Sequence, residues 1–189
     1  MDRRKQRHQA TRNAILAQAW ALTNEKGLTG WTLRELAGAV GVRAPSLYEY
    51  FGAKDDIYDA MFAESYRELL QLSTSTPLPD EPRERLRIMA TTFFDFAVAN
   101  PARLQLMFWR VIPGFEPSPE AYAPSLEVLD WGVKQAAEMG ITDPAALDMW
   151  TALLAGLISQ QASNDPGGDR WRRLVDDAVD MFARVYLPT

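Results

Sequence analysis

The chain has 189 residues, of which 47% are hydrophobic and 24% charged, and its formal net charge is −5. This length suffices for one compact domain, or for a small module on a larger one, without a disulfide or metal to hold it together. The absence of cysteine excludes disulfide frameworks, thiol nucleophiles and cysteine metal sites.

The charge is unevenly distributed along the chain. Residues 1–54 hold nine Lys or Arg and four Asp or Glu, a net charge of +5, whereas the remainder holds 11 basic and 21 acidic residues, a net charge of −10. A cationic end on an acidic body suits a protein of which one end alone meets a polyanion. A solvated basic arm explains the same charges equally well.

No segment has the composition of a membrane span. The longest charge-free stretch, residues 149–164, contains several polar side chains and is shorter than the roughly 20 apolar residues that cross a bilayer. Polar residues from Arg12 onward also interrupt any export signal that the basic residues 3–7 would begin. We therefore expect a cytoplasmic protein with no membrane partner.

A first helix is predicted over residues 10–26. Apolar residues between Ile15 and Leu22 recur at spacings of three and four, and Gly27 supplies a stop signal. The basic residues that precede this helix are expected to form a mobile tail.

Two shorter helices are predicted next. Thr32 and Glu35 form a capping-box pattern that begins the second helix, which ends at Gly41, where a positive φ is easily accommodated. Pro45 fits the first turn of a third helix, because its missing amide costs nothing there, and Gly52 closes that helix.

The remaining pattern is also helical. A loop rich in Ser, Thr and Pro over residues 73–82 and a second loop over residues 113–119 interrupt it. The predicted helices cover about residues 53–72, 83–99, 101–110, 122–139, 144–164 and 169–186. Since no strand run or internal repeat is present, the predicted fold class is all-α, with about nine helices.

The second and third helices form a helix-turn-helix signature around Gly41. Polar side chains on and near the third helix can donate to the major groove, and groups at two helix starts suit phosphate. The basic tail can follow the backbone or enter a neighbouring minor groove. The candidate DNA contacts from this pattern are Arg43, Ser46, Tyr48 and Tyr50 for the groove, Thr32 and Lys54 for phosphate, and Arg3 and Arg4 in the tail.

The segments at 25–27, 31–37, 40–42 and 46–55 together resemble the DNA-binding head of the TetR family of transcriptional regulators. The resemblance covers about residues 10–60 with the family's spacing and no gap. It implies a DNA-binding domain over residues 1–54 and a ligand-binding and dimerisation domain over residues 55–189.

The same resemblance implies a homodimer that binds a palindromic DNA operator, represses, and leaves DNA when a small-molecule inducer enters the C-terminal domain. Carried over by position, the DNA contacts are Thr32, Arg43, Ala44, Ser46, Tyr48, Tyr50 and Lys54, whereas Leu47 and Phe51 match core positions. Arg43 stands where many members carry a capping Ser. We therefore expect weak capping and a side chain free to reach phosphate or guanine.

The last two predicted helices each carry a wide apolar stripe. Such stripes can form half of a four-helix bundle with a second copy of the chain, or can pack inside one chain. The candidate interface residues are Leu153, Leu157, Trp171, Leu174, Ala178, Met181 and Phe182.

Aromatic and methionine side chains on the middle helices are candidates for an apolar ligand chamber, although core packing explains many of them as well. They are Phe62, Tyr66, Met89, Phe93, Phe96, Met107, Phe108, Trp109, Trp131 and Trp150. Polar contacts are expected from Asp95, Arg103, Gln105 or Arg110, unless these are solvated surface groups.

Two alternatives to a DNA-binding regulator are an enzyme and a helical interaction protein. An enzyme is disfavoured because the sole histidine, His8, lies in the tail and no phosphate loop, nucleophile elbow or metal-ligand cluster is present. We expect no catalytic residue, metal or other cofactor. A helical ligand-binding or interaction protein that lacks operator binding is the remaining alternative.

Overall fold

A computed structural model describes residues 3–188, and these residues form nine α-helices and no strand. The helices are α1 (Arg3–Lys26), α2 (Leu33–Val40), α3 (Ala44–Leu47), α4 (Lys54–Ser75), α5 (Pro82–Val98), α6 (Pro101–Phe108), α7 (Pro119–Glu138), α8 (Pro144–Asn164) and α9 (Val175–Tyr186). A single 3-10 turn at Arg172–Leu174 precedes α9. The predicted all-α class is confirmed.

The described residues form two compact units. The first unit runs through Ser65 and includes Ala102–Ala123; the second comprises Tyr66–Pro101 and the chain from Pro124 onward. Helices α4 and α7 each pass from one unit into the other. The domain boundary after residue 54 stays a prediction.

The core of the first unit lies where α1, α2, α3 and the first half of α4 meet. Helix α2 packs against both α1 and α3. Ile15, Leu36, Leu47 and Ile57, one from each of these helices, are at most 1% exposed. Removing each such side chain from water contributes about 1.5–3 kcal/mol, and this burial holds the helix pair at Gly41 in place.

The core of the second unit is formed by α5, α8 and α9, which pack against one another. Phe94, Leu154, Val175 and Val179 are almost fully buried there. Along the edge of this core, the Arg172 guanidinium pairs with Asp95 at 2.5 Å. That pair joins the segment before α9 to α5.

The basic N-terminal residues are helical, so the predicted mobile tail is wrong. Helix α1 begins at Arg3 and continues without interruption to Lys26. Arg, Lys, Gln and Ala all have high helix propensity, and the amphipathic residues from Ile15 onward nucleate a helix into which these residues extend. The cations of this segment are therefore held on a defined scaffold.

The final helix begins later than the pattern predicted, at Val175 instead of near Asp169. The cause is Gln161, which is 2% exposed and whose Oε1 accepts the backbone amides of Trp171 and Arg172 at 2.9 and 3.2 Å. The Asp165 carboxylate accepts the amide of Arg170 at 2.8 Å. Side chains that capture backbone amides in this way compete with the start of a helix.

Candidate nucleic-acid interface and ligand cavity

The turn between α2 and α3 depends on a left-handed residue. Gly41 has φ 80°, and the amide of Val42 donates to the carbonyl of Ala37 at 2.9 Å. This arrangement closes the C-terminus of α2 and reverses the chain within two residues. The helix-turn-helix predicted from the sequence is therefore present.

The short α3 presents polar groups beside two buried anchors. Leu47 and Phe51 are 1% and 3% exposed, whereas Tyr48 is 54% exposed. Arg43 is exposed and makes no side-chain cap for α3, as expected from the missing Ser, and Ser46 is half-buried. Because the buried side chains of Leu47 and Phe51 hold this segment in place, its exposed face can contact another molecule without refolding.

The N-terminal half of α1 packs beside the segment that follows α3. The ring of His8 lies 4.6 Å from that of Tyr50, and the Arg12 guanidinium lies 4.6 Å above the Phe51 ring. The candidate contacts Arg3 and Arg4 are exposed on the same helix, and Ala44 is half-buried in α3.

Sequence reasoning missed the roles of His8 and Arg12. Their signal was the spacing of four residues that continues to Leu16, which is 4% exposed. The high charge of this segment concealed that helical stripe.

Thr32 and Glu35 form the predicted capping box at the start of α2. The Glu35 amide donates to the Thr32 hydroxyl at 3.2 Å, and the Thr32 amide donates to Glu35 at 2.8 Å. Lys26 donates to the same carboxylate at 2.7 Å. These hydrogen bonds, first that of Lys26 and then those of Thr32, lower the pKa of Glu35 to about 2.

The lowered pKa of Glu35 predicts an acid-dependent loss of stability. The contribution of the ionised carboxylate is complete above its ordinary pKa of 4.5 and is lost as pH falls through about 2. We expect Glu35→Gln to lower the melting temperature at pH 7 and the difference from wild type to shrink between about pH 4.5 and 2. Thermal unfolding followed by circular dichroism measures it. Glu49→Gln, a change at an exposed residue, is the charge-matched control; equal pH profiles for both variants would contradict the assignment.

Lys54 is held inside the first unit. Its ammonium donates to the carbonyls of Trp31 at 2.6 Å and Thr29 at 3.4 Å, and it lies 4.1 Å from the centre of the Trp31 ring. Burial lowers the pKa of Lys54. These contacts make Lys54 a brace for the loop before α2, and its contact with phosphate stays a prediction.

The second unit contains an apolar cavity of about 190 Å³. Its walls come from α4, α5, α7, α8 and α9 and from Met139 and Ile141 between α7 and α8. Four of the predicted ligand residues line it: Met89, Phe93, Trp131 and Trp150.

The other six predicted ligand residues do not line this cavity. Phe62, Met107, Phe108 and Trp109 belong to the first unit, where the Phe62 ring stacks at 6.1 Å on Tyr122. Tyr66 and Phe96 belong to the second unit but are not part of the cavity wall. Tyr66 lies about one turn before the lining residue Leu69 on α4, and Phe96 lies about one turn after Phe93 on α5. Spacing alone does not distinguish these positions from those on the cavity wall.

The polar groups of the cavity also differ from those expected. The polar side chains on its wall are Ser73 and Thr151. Asp95 pairs with Arg172, Arg110 lies 3.5 Å from Glu116, and neither Arg103 nor Gln105 lines the cavity. The sequence-based prediction considered charged and aromatic residues and did not include these two small hydroxyl groups.

The predicted interface residues divide into two groups. Ala178 and Phe182 are 6% and 4% exposed within a single chain, and their place in an interface between copies stays a prediction. Met181 is 63% exposed on α9, with Val185 one turn further at 71%. Leu153, Leu157, Trp171 and Leu174 are half-buried.

Neither a membrane span nor a metal site is evident in the described part of the chain. No helix within residues 3–188 is long and apolar enough to cross a bilayer. The same residues contain no group of three or more His, Cys, Asp or Glu side chains placed to hold a metal ion.

Residues 15–61, which contain the helix-turn-helix, match the family of bacterial regulatory proteins named tetR. These residues therefore form a DNA-binding domain of the TetR family. The chain is similar to the tetracycline repressor protein class C of Escherichia coli, with 28% identity over 182 residues, 92% of this chain and 77% of the repressor.

Other matches cover less of the relative or show the fold alone. The HTH-type transcriptional regulator Mb1846 of Mycobacterium bovis is 24% identical over 102 residues, 52% of this chain; the match spans only 44% of that relative's length. A protein with unknown function from Rhodococcus sp. RHA1 has a TM-score of 0.80 at 22% identity, covering 94% of this chain and 96% of that one.

Proposed function

We propose that this chain is a homodimeric, sequence-specific DNA-binding transcriptional regulator. It represses, and it leaves a palindromic operator when an apolar or aromatic small molecule enters the second unit. The observation that carries the proposal is the polar face of α3, where exposed Arg43 and Tyr48 lie beside the buried anchors Leu47 and Phe51. The regulator and repressor names of the relatives support it.

On DNA, α3 enters the major groove and α1 follows the phosphate backbone. Arg43 and Tyr48 face base edges, for which the arginine fork is suited to guanine. Arg3 and Arg4 contribute salt-dependent phosphate contacts from α1, since helical backbone holds them on the same unit as α3.

The dimer uses the exposed faces of α8 and α9. Met181 and Val185 extend from α9, and α8 exposes Met149 together with the small residues Ala155 and Gly156. Small residues permit close approach of helix backbones, and an isologous pairing of two such helix pairs gives a four-helix bundle. A dimer of this kind sets two copies of α3 at a fixed separation, which must match one DNA turn of about 34–36 Å.

Ligand and DNA are coupled through α4. The C-terminal part of this helix lines the cavity with Leu69 and Ser73, and its first residue, Lys54, holds the loop before α2. A ligand that displaces Leu69 and Ser73 tilts a continuous helix whose other end carries that brace. The tilt changes the separation of the two α3 helices and weakens cooperative binding.

A ligand-binding or interaction protein without operator binding is the second candidate. It is favoured by the internal hydrogen bonds of Thr32 and Lys54, two predicted phosphate contacts whose polar groups are occupied within the chain. Selection of bound DNA from a random pool separates the two. A palindrome that survives competitor DNA supports the regulator, whereas binding that collapses with rising salt and yields no consensus supports the alternative.

Substitutions at the two ends of α3 test whether its exposed face contacts DNA. We expect Tyr48→Ala and Arg43→Ala each to weaken binding to the selected operator by about 5- to 160-fold, because a specific base contact is worth about 1–3 kcal/mol. Fluorescence anisotropy with labelled operator at fixed salt measures the change. Arg110→Ala removes an equal charge from an exposed residue outside the helix-turn-helix and should change binding little. Equal losses for Arg43→Ala and Arg110→Ala would show that net charge, and not this face, determines affinity.

A further inference from the structure

The wall of the cavity in the second unit is aromatic on several sides and carries no charge. Rings from four helices reach it: Phe93 of α5, Trp131 of α7, Trp150 of α8 and Phe182 of α9. The rings of Trp150 and Phe182 lie 4.8 Å apart. None of the lining residues, all of which lie within the described chain, is Asp, Glu, Lys, Arg or His. A charged ligand group would therefore lose its hydration without gaining a counter-ion.

Ser73 supplies a hydrogen-bonding group that the protein itself does not use. The residue is 8% exposed and lies on the cavity wall. Within residues 3–188 its hydroxyl has no hydrogen-bond partner. Thr151, the other polar wall residue, already donates its hydroxyl to the Leu147 carbonyl at 2.9 Å. Because this hydroxyl makes no hydrogen bond within the described chain, a ligand that pairs with Ser73 gains a hydrogen bond without displacing a protein group.

A small side cleft fixes where a polar substituent would lie. This cleft of about 10 Å³ shares Ser73, Met89 and Trp131 with the main cavity and adds Thr76 and Thr92. Its volume is roughly that of one water-sized group. The main cavity, at about 190 Å³, exceeds the roughly 150 Å³ in which a buried apolar cavity holds benzene.

We propose that the small molecule sensed by this protein is an uncharged aromatic compound of one or two rings whose hydroxyl, or a similar small polar group, hydrogen-bonds to Ser73. This inference rests on the proposed function, because it identifies the chemical class of the ligand that the regulator senses. The rings pack among Phe93, Trp131 and Trp150. The substituent lies at the side cleft, and a carboxylate or ammonium in its place has no partner on the wall.

A matched series of naphthalene compounds tests the charge preference on the full-length protein without DNA. The probes are naphthalene, 1-naphthol, 1-naphthoate and 1-naphthylmethylammonium, with binding measured by calorimetry and by quenching of tryptophan fluorescence. We expect 1-naphthol to bind tightest and both ions to bind at least about 10-fold more weakly than 1-naphthol. Binding of either ion as tight as that of 1-naphthol, or no binding of 1-naphthol up to its solubility limit, overturns the proposal.

Substitution of Ser73 tests the anchoring group. Ser73→Ala should weaken 1-naphthol by about 2- to 12-fold, the fold-change that corresponds to one net hydrogen bond, and should leave naphthalene unchanged. Ser75→Ala is the control, because Ser75 lies on the same helix outside the cavity and donates to Leu72 at 3.2 Å. The assignment of Ser73 fails if its alanine variant binds 1-naphthol normally, or if the affinities for 1-naphthol and naphthalene fall equally.

Separate measurements report where 1-naphthol binds and whether its binding affects the complex with DNA. Trp131→Phe should reduce the fluorescence quenching by 1-naphthol, whereas Trp109→Phe, outside the cavity, should leave the fractional quenching at least as large. If 1-naphthol binds with the expected preferences but leaves the operator complex intact, the ligand chemistry stands and the proposed coupling fails. If an ion releases DNA and Trp131→Phe removes its signal, the coupling stands and the ligand chemistry is overturned.

Discussion

Replacing Met181 by glutamate is expected to leave the protein monomeric and to lower its affinity for a selected operator by about 10²- to 10⁴-fold. Met181 is 63% exposed on α9, so the new carboxylate does not disturb the core of one chain. In the proposed dimer, the same position on both copies is removed from water, and two like charges are buried without partners. The loss of affinity follows because one head then binds a half-site without the second.

Sedimentation at micromolar concentration measures the first effect, and operator titration at the same salt measures the second. The variant should sediment near 21.3 kDa and the wild type near twice that mass. Val111→Glu places the same charge at an apolar residue that is 41% exposed in the first unit, and it should remain dimeric. A dimeric Met181→Glu protein would remove α9 from the interface and leave the helix-turn-helix proposal untouched.

The helix-turn-helix was predictable because its determinants are local. A capping box between Thr32 and Glu35, a left-handed Gly41 and a proline at the start of α3 each act over a few residues, and all three appear in the structure. The burial of Leu47 and Phe51 followed from their positions in the TetR pattern. Such signals remain readable because no distant contact overrides them.

The parts that sequence reasoning missed depend on distant contacts or on competing signals. The helical N-terminus is highly charged, and its stabilising contacts from His8 and Arg12 reach residues about 40 positions away in the chain. The start of α9 was shifted by Gln161, a side chain on the preceding helix. Hydrophobic periodicity reports which face of a helix is buried, but it does not distinguish a cavity wall from a filled core or from a contact with a second copy.

The ligand cavity shows this limit most clearly. Met89 and Phe93 face it, and Phe96 does not, although spacings of four and three residues place all three on one side of α5. Its anchoring hydroxyl, Ser73, lies on a helix segment that the sequence assigned to a loop. The side chains that line the cavity are determined by the packing of five helices around it, which the sequence alone does not give.

The largest expected loss of stability in the first unit comes from Trp31→Ala. Trp31 is 1% exposed, its indole N–H donates to Thr23 at 2.8 Å, and its ring contacts both Lys54 and Tyr58. Truncating a buried tryptophan costs about 3–5 kcal/mol, a large share of the roughly 5–15 kcal/mol that keeps a domain folded. We expect urea unfolding, followed by circular dichroism, to show this loss of stability. Titration with labelled operator should show a loss of DNA binding by the same variant.

A graded series separates the packing of Trp31 from its hydrogen bond. Trp31→Phe keeps a ring beneath Lys54 but leaves the Thr23 hydroxyl, in a residue 1% exposed, without its donor, a cost of about 1–3 kcal/mol. Trp109→Ala, at a residue 36% exposed in the same unit, should cost far less than either. If Trp31→Ala lowered the free energy of unfolding no more than Trp109→Ala, the stability of the loop before α2 would not depend on the Trp31 ring. Lys54 begins α4 and is held against Trp31. At a lower temperature that restores folding, the Trp31→Ala variant should therefore still lack the response of operator binding to ligand.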